Sequence, residues 1–247
     1  MPKILGQEEL AEREALIIKI ACDIIEEEGF SGLTMDKIVA KVPYSKGSVY
    51  KLFNSTEEVM LAITNDGATT LLEFMHRARQ YHGNSRARNL ARAFAYHIYG
   101  QLYPVHFFCE LQAISPAVRE KASQRRLAHG IKILNEFKKL SKTFVADAIE
   151  DGDLTCPADH SPSRIANCSW SSEFGVTSYA LAVHEDQRNI GPNARAQLET
   201  DIFWLANTYM DGLGWKPLSG SNDYKDIWQD IKKSLFADEL RILALQG

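Results

Sequence analysis

The sequence predicts an all-α protein. Apolar residues recur at helical spacing along most of the 247-residue chain. No apolar–polar alternation of the kind a strand needs runs beyond four residues. Capping residues, glycines and prolines divide the apolar stretches at intervals that suit helices. There is no internal repeat and no low-complexity segment. Apolar residues at 45% and charged residues at 24% suit a globular chain, with material for one large core or two modest ones.

Residues 7–28 read as the first helix, with Leu10, Ile17, Ile20, Ala21 and Ile24 as its core stripe and Gly29 as its C-terminal glycine. Glu26, Glu27 and Glu28 oppose the helix dipole there, and nothing nearby in sequence explains them. Residues 34–42 form the second helix. Thr34 caps it, Met35, Ile38, Val39 and Val42 share one face, and Pro43 stops it. Ser45 caps a third helix over 45–52. Val49 and Phe53 face inward with Leu52 beside them, which leaves Lys46, Gly47, Ser48, Tyr50 and Lys51 outward. Ser55 and Glu58 make a capping box that opens a longer helix to about residue 80, lined by Val59, Ile63, Leu71, Leu72 and Met75.

A break at 81–84 is flanked by Arg77, Arg79, Arg86, Arg88 and Arg92. This reads as a solvated basic elbow, or else as a second phosphate contact or an anion site. Helix 86–102 follows, with Leu90, Phe94, Ile98 and Leu102 in a row and His97 and Gln101 on its flank. Pro104 opens the aromatic segment PVHFFCELQAI. The longest helical pattern runs over 116–150, with Leu127, Ile131, Leu134 and Lys138, and Phe137, Leu140, Phe144 and Ile149, tracing its inner side to Gly152. After the loop 153–162, helices 163–185 and 193–213 are each apolar on two strips and so need cover on two sides. A single amphipathic helix is expected over 223–245.

Two short helices joined by a tight turn, the second polar and basic on its free face, make a helix-turn-helix of a size for the DNA major groove. Net charge is −4, but Lys37, Lys41, Lys46 and Lys51 concentrate positive charge in this segment, opposed there only by Asp36. A local basic patch on a mildly acidic protein favours one defined DNA contact over general coating of nucleic acid.

The residues Gly29-Phe30, Thr34-Met35-Asp36-Lys37-Ile38, Ser45-Lys46-Gly47-Ser48-Val49-Tyr50, Phe53, Ser55 and Glu57-Glu58-Val59 resemble the DNA-binding domain of the TetR family of bacterial transcriptional regulators. Three positions depart from that pattern. Pro43 stands where a turn glycine is usual, Leu52 replaces a second aromatic, and Thr56 replaces a Lys that commonly opens helix four. The resemblance implies an N-terminal three-helix DNA-binding domain, residues 1–55, and a larger helical effector-binding and dimerisation domain, residues 56–247. It implies a dimeric regulator, read as a repressor, that binds a palindromic operator in double-stranded DNA and is released by a small-molecule effector.

Thr34, Ser45, Lys46 and Tyr50 are then the phosphate partners. Gly47 permits close backbone approach, and Tyr44, Ser48 and Lys51 reach the base edges. Packing against the first helix is the alternative for Tyr50, and a solvated face for the lysines. The homodimer would form through helices about 163–185 and 193–213 as a four-helix bundle, unless both are buried within one subunit. Phe94, His97, Gln101, Phe107, Phe108, Trp170 and Phe174 are the candidate ligand-binding residues, because aromatics beside a few polar groups suit a small-molecule cavity. Each aromatic has plain core packing as its alternative.

No catalytic motif, cofactor loop or paired metal-ligand spacing is present, so no enzyme, cofactor or metal is expected. The histidines 82, 97, 106 and 184 have no evident catalytic partner. Cys22, Cys109, Cys156 and Cys168 are widely spaced and suit a reducing cytoplasm. No apolar run is long enough for a membrane span, and the first ten residues lack a signal-peptide core. The competing readings are a regulator without a ligand or under protein control, and an all-α small-molecule enzyme.

Overall fold

A computed structural model describes residues 6–183 and 191–245, and every regular element among them is helical. In chain order these are α1 (Gln7–Glu28), a 3-10 turn (Phe30–Gly32), α2 (Met35–Lys41), α3 (Lys46–Leu52), α4 (Thr56–Arg79), α5 (Ser85–Leu102), α6 (Pro104–Ile114), α7 (Pro116–Lys121), α8 (Gln124–Glu150), α9 (Pro162–Val183), α10 (Pro192–Gly212), a second 3-10 turn (Ser219–Ser221), α11 (Lys225–Leu235) and α12 (Ala237–Leu245). The last two residues of the expected 163–185 helix, and the first five of the chain, lie outside the described residues. No helix among the described residues is long and apolar enough to cross a membrane.

The chain forms two compact units. The first is Met1–Gly67 with Val105–Lys132, and the second is Ala68–Pro104 with Ile133–Gly247. In the first, Ile17, Ala21 and Ile24 of α1, Ile38 of α2, Val49 of α3 with Phe53 just after it, Val59 and Ile63 of α4, and Cys109 of α6 share one buried core. Gly29 follows α1 with φ +76°, a conformation that favours glycine, and its N–H closes the helix on the Ile25 carbonyl at 2.8 Å.

The second unit is built around α5, which touches α9, α10, α11 and α12. From Ser85 to Leu102 only Arg88 escapes burial. A helix covered on all sides normally carries few polar residues, so each one here needs a partner. Arg92 has a complete set. Its guanidinium donates to both Glu173 oxygens at 2.9 and 2.6 Å, to Ser169 Oγ at 2.9 Å and to Asn89 Oδ1 at 2.8 Å. Arg86 donates to the Trp215 carbonyl at 2.7 Å and to Asn207 Oδ1 at 3.0 Å, pairs with Asp211, and lies against the Tyr224 ring.

The arginines around the 81–84 break therefore do not form one unpaired basic elbow. Arg86 and Arg92 are interior, while Arg77, Arg79 and Arg88 pair with Glu239, Asp147 and Asp151 nearer the surface. The planar fork of arginine suits such fixed pairing better than lysine does.

Three further expectations are corrected. The 116–150 helix is two helices. Ala122 is extended (φ −81°, ψ 146°) and Ser123 Oγ accepts the Arg126 N–H at 3.5 Å, restarting the helix. The 223–245 helix also divides, at Phe236. That turn places the Phe236 ring out of solvent, 5.7 Å from Phe74 and 5.4 Å from Phe94. On α8, Leu140 and Phe144 are buried as expected, but Ile131 and Leu134 are exposed, and Ile133, Val145 and Ala148 complete its buried apolar residues.

Replacing Arg92 by Ala strands Glu173 in a site where it is 1% exposed. The expected cost is about 3–5 kcal/mol in urea unfolding. Arg92→Met combined with Glu173→Leu, which removes both charges, is expected to recover most of it.

Candidate functional site

The first candidate is the outer face of α3. Burial of Val49 and Phe53 fixes its inner side, and both are fully out of solvent. Ser45 Oγ accepts the Ser48 N–H at 3.3 Å and lies 2.9 Å from Ser48 Oγ, so the helix start is capped. Thr34 does the same for α2, accepting the Lys37 N–H at 3.3 Å. Lys46, Gly47 and Lys51 are exposed, and Tyr44, Ser48 and Tyr50 are half-buried. A Cβ on Gly47 would meet nothing within 4 Å, so its backbone is open to an approaching surface. All eight residues expected to contact DNA therefore lie at the start of α2, in the α2–α3 turn or on α3.

The cations are less free than their spacing suggests. Lys41 Nζ donates to Glu27 at 2.8 Å, and Lys37 Nζ to Glu28 and to the Gly32 carbonyl. Asp36 is thus not the only counter-charge, and two of the three glutamates at the end of α1 have their explanation. The Glu27 contact raises the Lys41 pKa and lowers that of Glu27. Lys46 reaches Asp36 at 2.9 Å and sits 5.6 Å from the Tyr50 ring centre. Both ends of that pair are more than 60% exposed, so a competing phosphate displaces it at little cost. Lys51 has no ion-pair partner among the described residues.

A residue that sequence spacing did not reveal completes this site. Arg126, in the first turn of α8, is 5% exposed. Its guanidinium donates to Glu14 of α1 at 2.5 Å and to the Leu52 carbonyl, the last of α3, at 3.1 Å. It lies 3.3 Å from Glu58 of α4 and 4.1 Å above the Phe53 ring. A cation at a helix C-terminus satisfies an orphan carbonyl and complements the dipole. Burial works to raise the Glu58 carboxyl, but the Asn54 N–H, Ser123 and Arg126 outweigh it and hold it below its usual range. Half of the expected capping box forms, with the Glu58 N–H on Ser55 Oγ at 3.2 Å, while the Glu58 carboxylate accepts from the Asn54 N–H at 2.9 Å instead of from Ser55.

The second candidate is a cavity of about 410 Å³ lined by residues of α5, α10 and α12, among them His97, Gln101, Arg195, Glu199, Leu240 and Leu243. His97 and Gln101 are buried and joined, with Gln101 Nε2 2.6 Å from His97 Nε2. Burial lowers the His97 pKa to about 4, so the ring is neutral and can accept that bond. Gln101 Oε1 has no donor. The other candidate ligand residues lie elsewhere. Phe94 is packed between Trp228 and Phe236, with centroids at 5.1 and 5.4 Å. Trp170 stacks on Phe174 at 5.4 Å, beside Tyr96 and Phe137. Phe107 and Phe108 belong to the first unit, edge to face at 6.0 Å.

His106 does have neighbours, contrary to the sequence expectation: Cys22 Sγ at 4.0 Å and Asp66 at 3.4 Å. The same ring nitrogen faces both, so it cannot relay a proton between them as a catalytic triad does. Burial pushes the Cys22 thiol up to about 12, away from the thiolate a nucleophile needs. No group of three or more metal-ligating side chains occurs among the described residues.

Two outcomes are expected. Arg126→Ala should cost about 3 kcal/mol in urea unfolding, because Glu58 loses its buried counter-charge, and Arg126→Lys should restore only part, lacking the fork. A histidine kept neutral in the folded state binds fewer protons there than in the unfolded chain between pH 4 and 6.5. Its contribution is therefore complete above about pH 6.5 and shrinks as the pH falls towards about 4. Stability should drop by roughly 2 kcal/mol from pH 7 to pH 5 on this account, and His97→Gln should flatten that slope.

Residues 17–63 match the family model described as bacterial regulatory proteins, tetR family. Among solved structures, one of a protein with unknown function from Rhodococcus sp. RHA1 is 20% identical, with 87% of this chain and 99% of that one covered at a TM-score of 0.63. A transcriptional regulator of the TetR/AcrR family from Thermobifida fusca is 18% identical, with 79% and 96% covered at 0.57. The fatty acid degradation regulator FadR from Bacillus halodurans is 12% identical, with 83% and 96% covered at 0.60. No curated protein sequence matches the chain.

Proposed function

Starting from a chain that belongs to the tetR family of bacterial regulatory proteins, we propose that it is a repressor that binds a palindromic operator as a homodimer and is released by a small molecule. The observation that carries the DNA half is the outer face of α3. It is short, capped and held from behind, with Lys46, Lys51 and the open backbone at Gly47 directed outward. Thr34, Ser45, Lys46 and Tyr50 take phosphates, and Tyr44, Ser48 and Lys51 read bases.

One such helix reads only a few base pairs, so a specific site calls for two, spaced by about one DNA turn. The outer strip of α9 and α10 supports a dimer. Tyr179 is 72% exposed and Trp204 66%, on faces that also expose small residues such as Ser171, Gly175, Ala182 and Thr208. Two copies of this helix pair would form a four-helix bundle about a two-fold axis. The described cysteines are all free thiols, which suits a reducing cytoplasm. Helix α4 contributes Val59 and Ile63 to the first unit and Leu71, Leu72 and Met75 to the second. That continuity makes it the proposed lever between effector and operator.

The test begins by selecting bound DNA from a random pool. Lys51→Ala should then weaken the selected site by about 10- to 100-fold and relax its sequence preference, the loss expected for a base contact. Lys46→Ala should weaken all sequences alike and lower the salt slope by about one. Trp204→Glu should yield a folded monomer in sedimentation with no operator binding. Wild-type affinity in all three variants would overturn the assignment.

A further inference from the structure

The C-terminal helices lie outside the part of the chain that the tetR model matches, and the cavity behind α12 gives them a role. Its wall has three kinds of surface. Ile98, Leu240, Leu243 and Ala244 are apolar. Gln101 supplies a buried carbonyl oxygen that no donor reaches, because its amide nitrogen is turned to His97. Arg195 supplies a half-buried guanidinium whose one hydrogen bond, at 2.9 Å, goes to the Leu243 carbonyl, with no carboxylate beside it among the described residues. Glu199, which also lines the cavity, is already held by Lys232 at 2.6 and 2.9 Å and by Trp228 Nε1 at 3.0 Å, so it does not neutralise Arg195.

A buried acceptor without a donor and a cation without an anion both carry a free-energy cost, and a ligand that answers both recovers it. We propose that this cavity binds a hydroxylated aliphatic carboxylate, its carboxylate on Arg195, its hydroxyl donating to Gln101 Oε1, and its hydrocarbon against Ile98, Leu240 and Leu243. The inference rests on the reading of the second unit as the effector-binding half. His97 is a positioning residue in it: a neutral ring that accepts from the Gln101 amide nitrogen fixes the amide and leaves its carbonyl oxygen unclaimed for the ligand. The volume of about 410 Å³ falls within the range of small-molecule sites and suits a medium-length chain. Helix α12 is thus a wall of the site, and the Arg195–Leu243 bond ties it to α10.

The experiment uses the whole 247-residue chain without DNA and three probes: 3-hydroxydecanoate, decanoate and the methyl ester of the hydroxy acid. Calorimetric titration should rank the hydroxy acid first, decanoate about fivefold weaker for one lost hydrogen bond, and the ester about 20-fold weaker for a lost charged one. Gln101→Leu should erase the preference for the hydroxyl while leaving decanoate unchanged. Arg195→Gln should weaken both acids and spare the ester. Circular dichroism and thermal melts of both variants identify any that fails to fold, and for such a variant Gln101→Glu or Arg195→Lys serves instead. Glutamate should retain an acceptor for the hydroxyl, and lysine should keep the charge while losing part of the affinity.

Absence of binding by all three probes, or binding that neither substitution alters, would overturn the proposal. Operator release is read separately. Binding with the expected variant pattern but without release upholds the site and sinks the effector reading. Release by another compound that is indifferent to Gln101 and Arg195 does the reverse.

Discussion

Val49 and Phe53 never meet solvent, and what α3 can offer outward follows from that. A seven-residue helix has too few hydrogen bonds to hold itself together in water. It persists because its inner side is locked into a core shared with α1, α2 and α4, because Ser45 satisfies its start, and because Arg126 satisfies its end. With these three constraints met by other parts of the first unit, the free side need not stabilise anything. Lys46, Lys51 and the bare backbone at Gly47 can stay exposed, where a nucleic-acid surface can use them.

The second unit solves the opposite problem. Its central helix α5 is covered almost everywhere, yet it carries two arginines, an asparagine, a histidine and a glutamine in its buried surface. Burial of an isolated charge would be prohibitive, so each arginine is enclosed by acceptors from other helices. Arg92 is matched by the carboxylate of Glu173 in a two-pronged contact, and Arg86 by carbonyls and Asp211. Such pairs add little net stability compared with hydrocarbon of equal volume. They do penalise any packing of α9 or α10 that separates the partners, so they specify one arrangement of the helices around α5. Gln101 Oε1 is a buried acceptor on α5 left without that service, and Gln101 is among the residues that line the cavity.

Much of the helical scaffold is legible in the sequence because its signals are local. Thr34, Ser45 and Ser55 each sit immediately before an apolar periodic run, and each accepts the N–H expected of a cap. The breaks at Ser123 and Phe236 are hidden for different reasons. Ser123 is flanked by residues that continue a helical pattern, and Phe236 turns the chain to bury its own ring, which is a demand of tertiary packing. Charge partners are the least readable feature. Glu27 and Lys41 are fourteen positions apart, Arg92 and Glu173 eighty-one, and Arg126 and Glu14 one hundred and twelve. A run of arginines looks solvated in sequence whether its counter-charges lie in water or on another helix.

Arg126 also shows why helix order in the chain is a poor guide to where a site is completed. The helix-turn-helix segment occupies residues 34 to 53, and nothing within it supplies a partner for the last carbonyl of α3. The missing donor arrives from the first turn of α8, more than seventy residues later. Lysine could supply a charge there, but it could not bind Glu14 and the Leu52 carbonyl through a rigid fork while lying flat on the Phe53 ring. The same guanidinium therefore sets the end of α3, the start of α4 and the approach of α1 at once. A small displacement of α8 along its own axis would have to break those contacts together, so within this unit the end of α3 has one well-defined position.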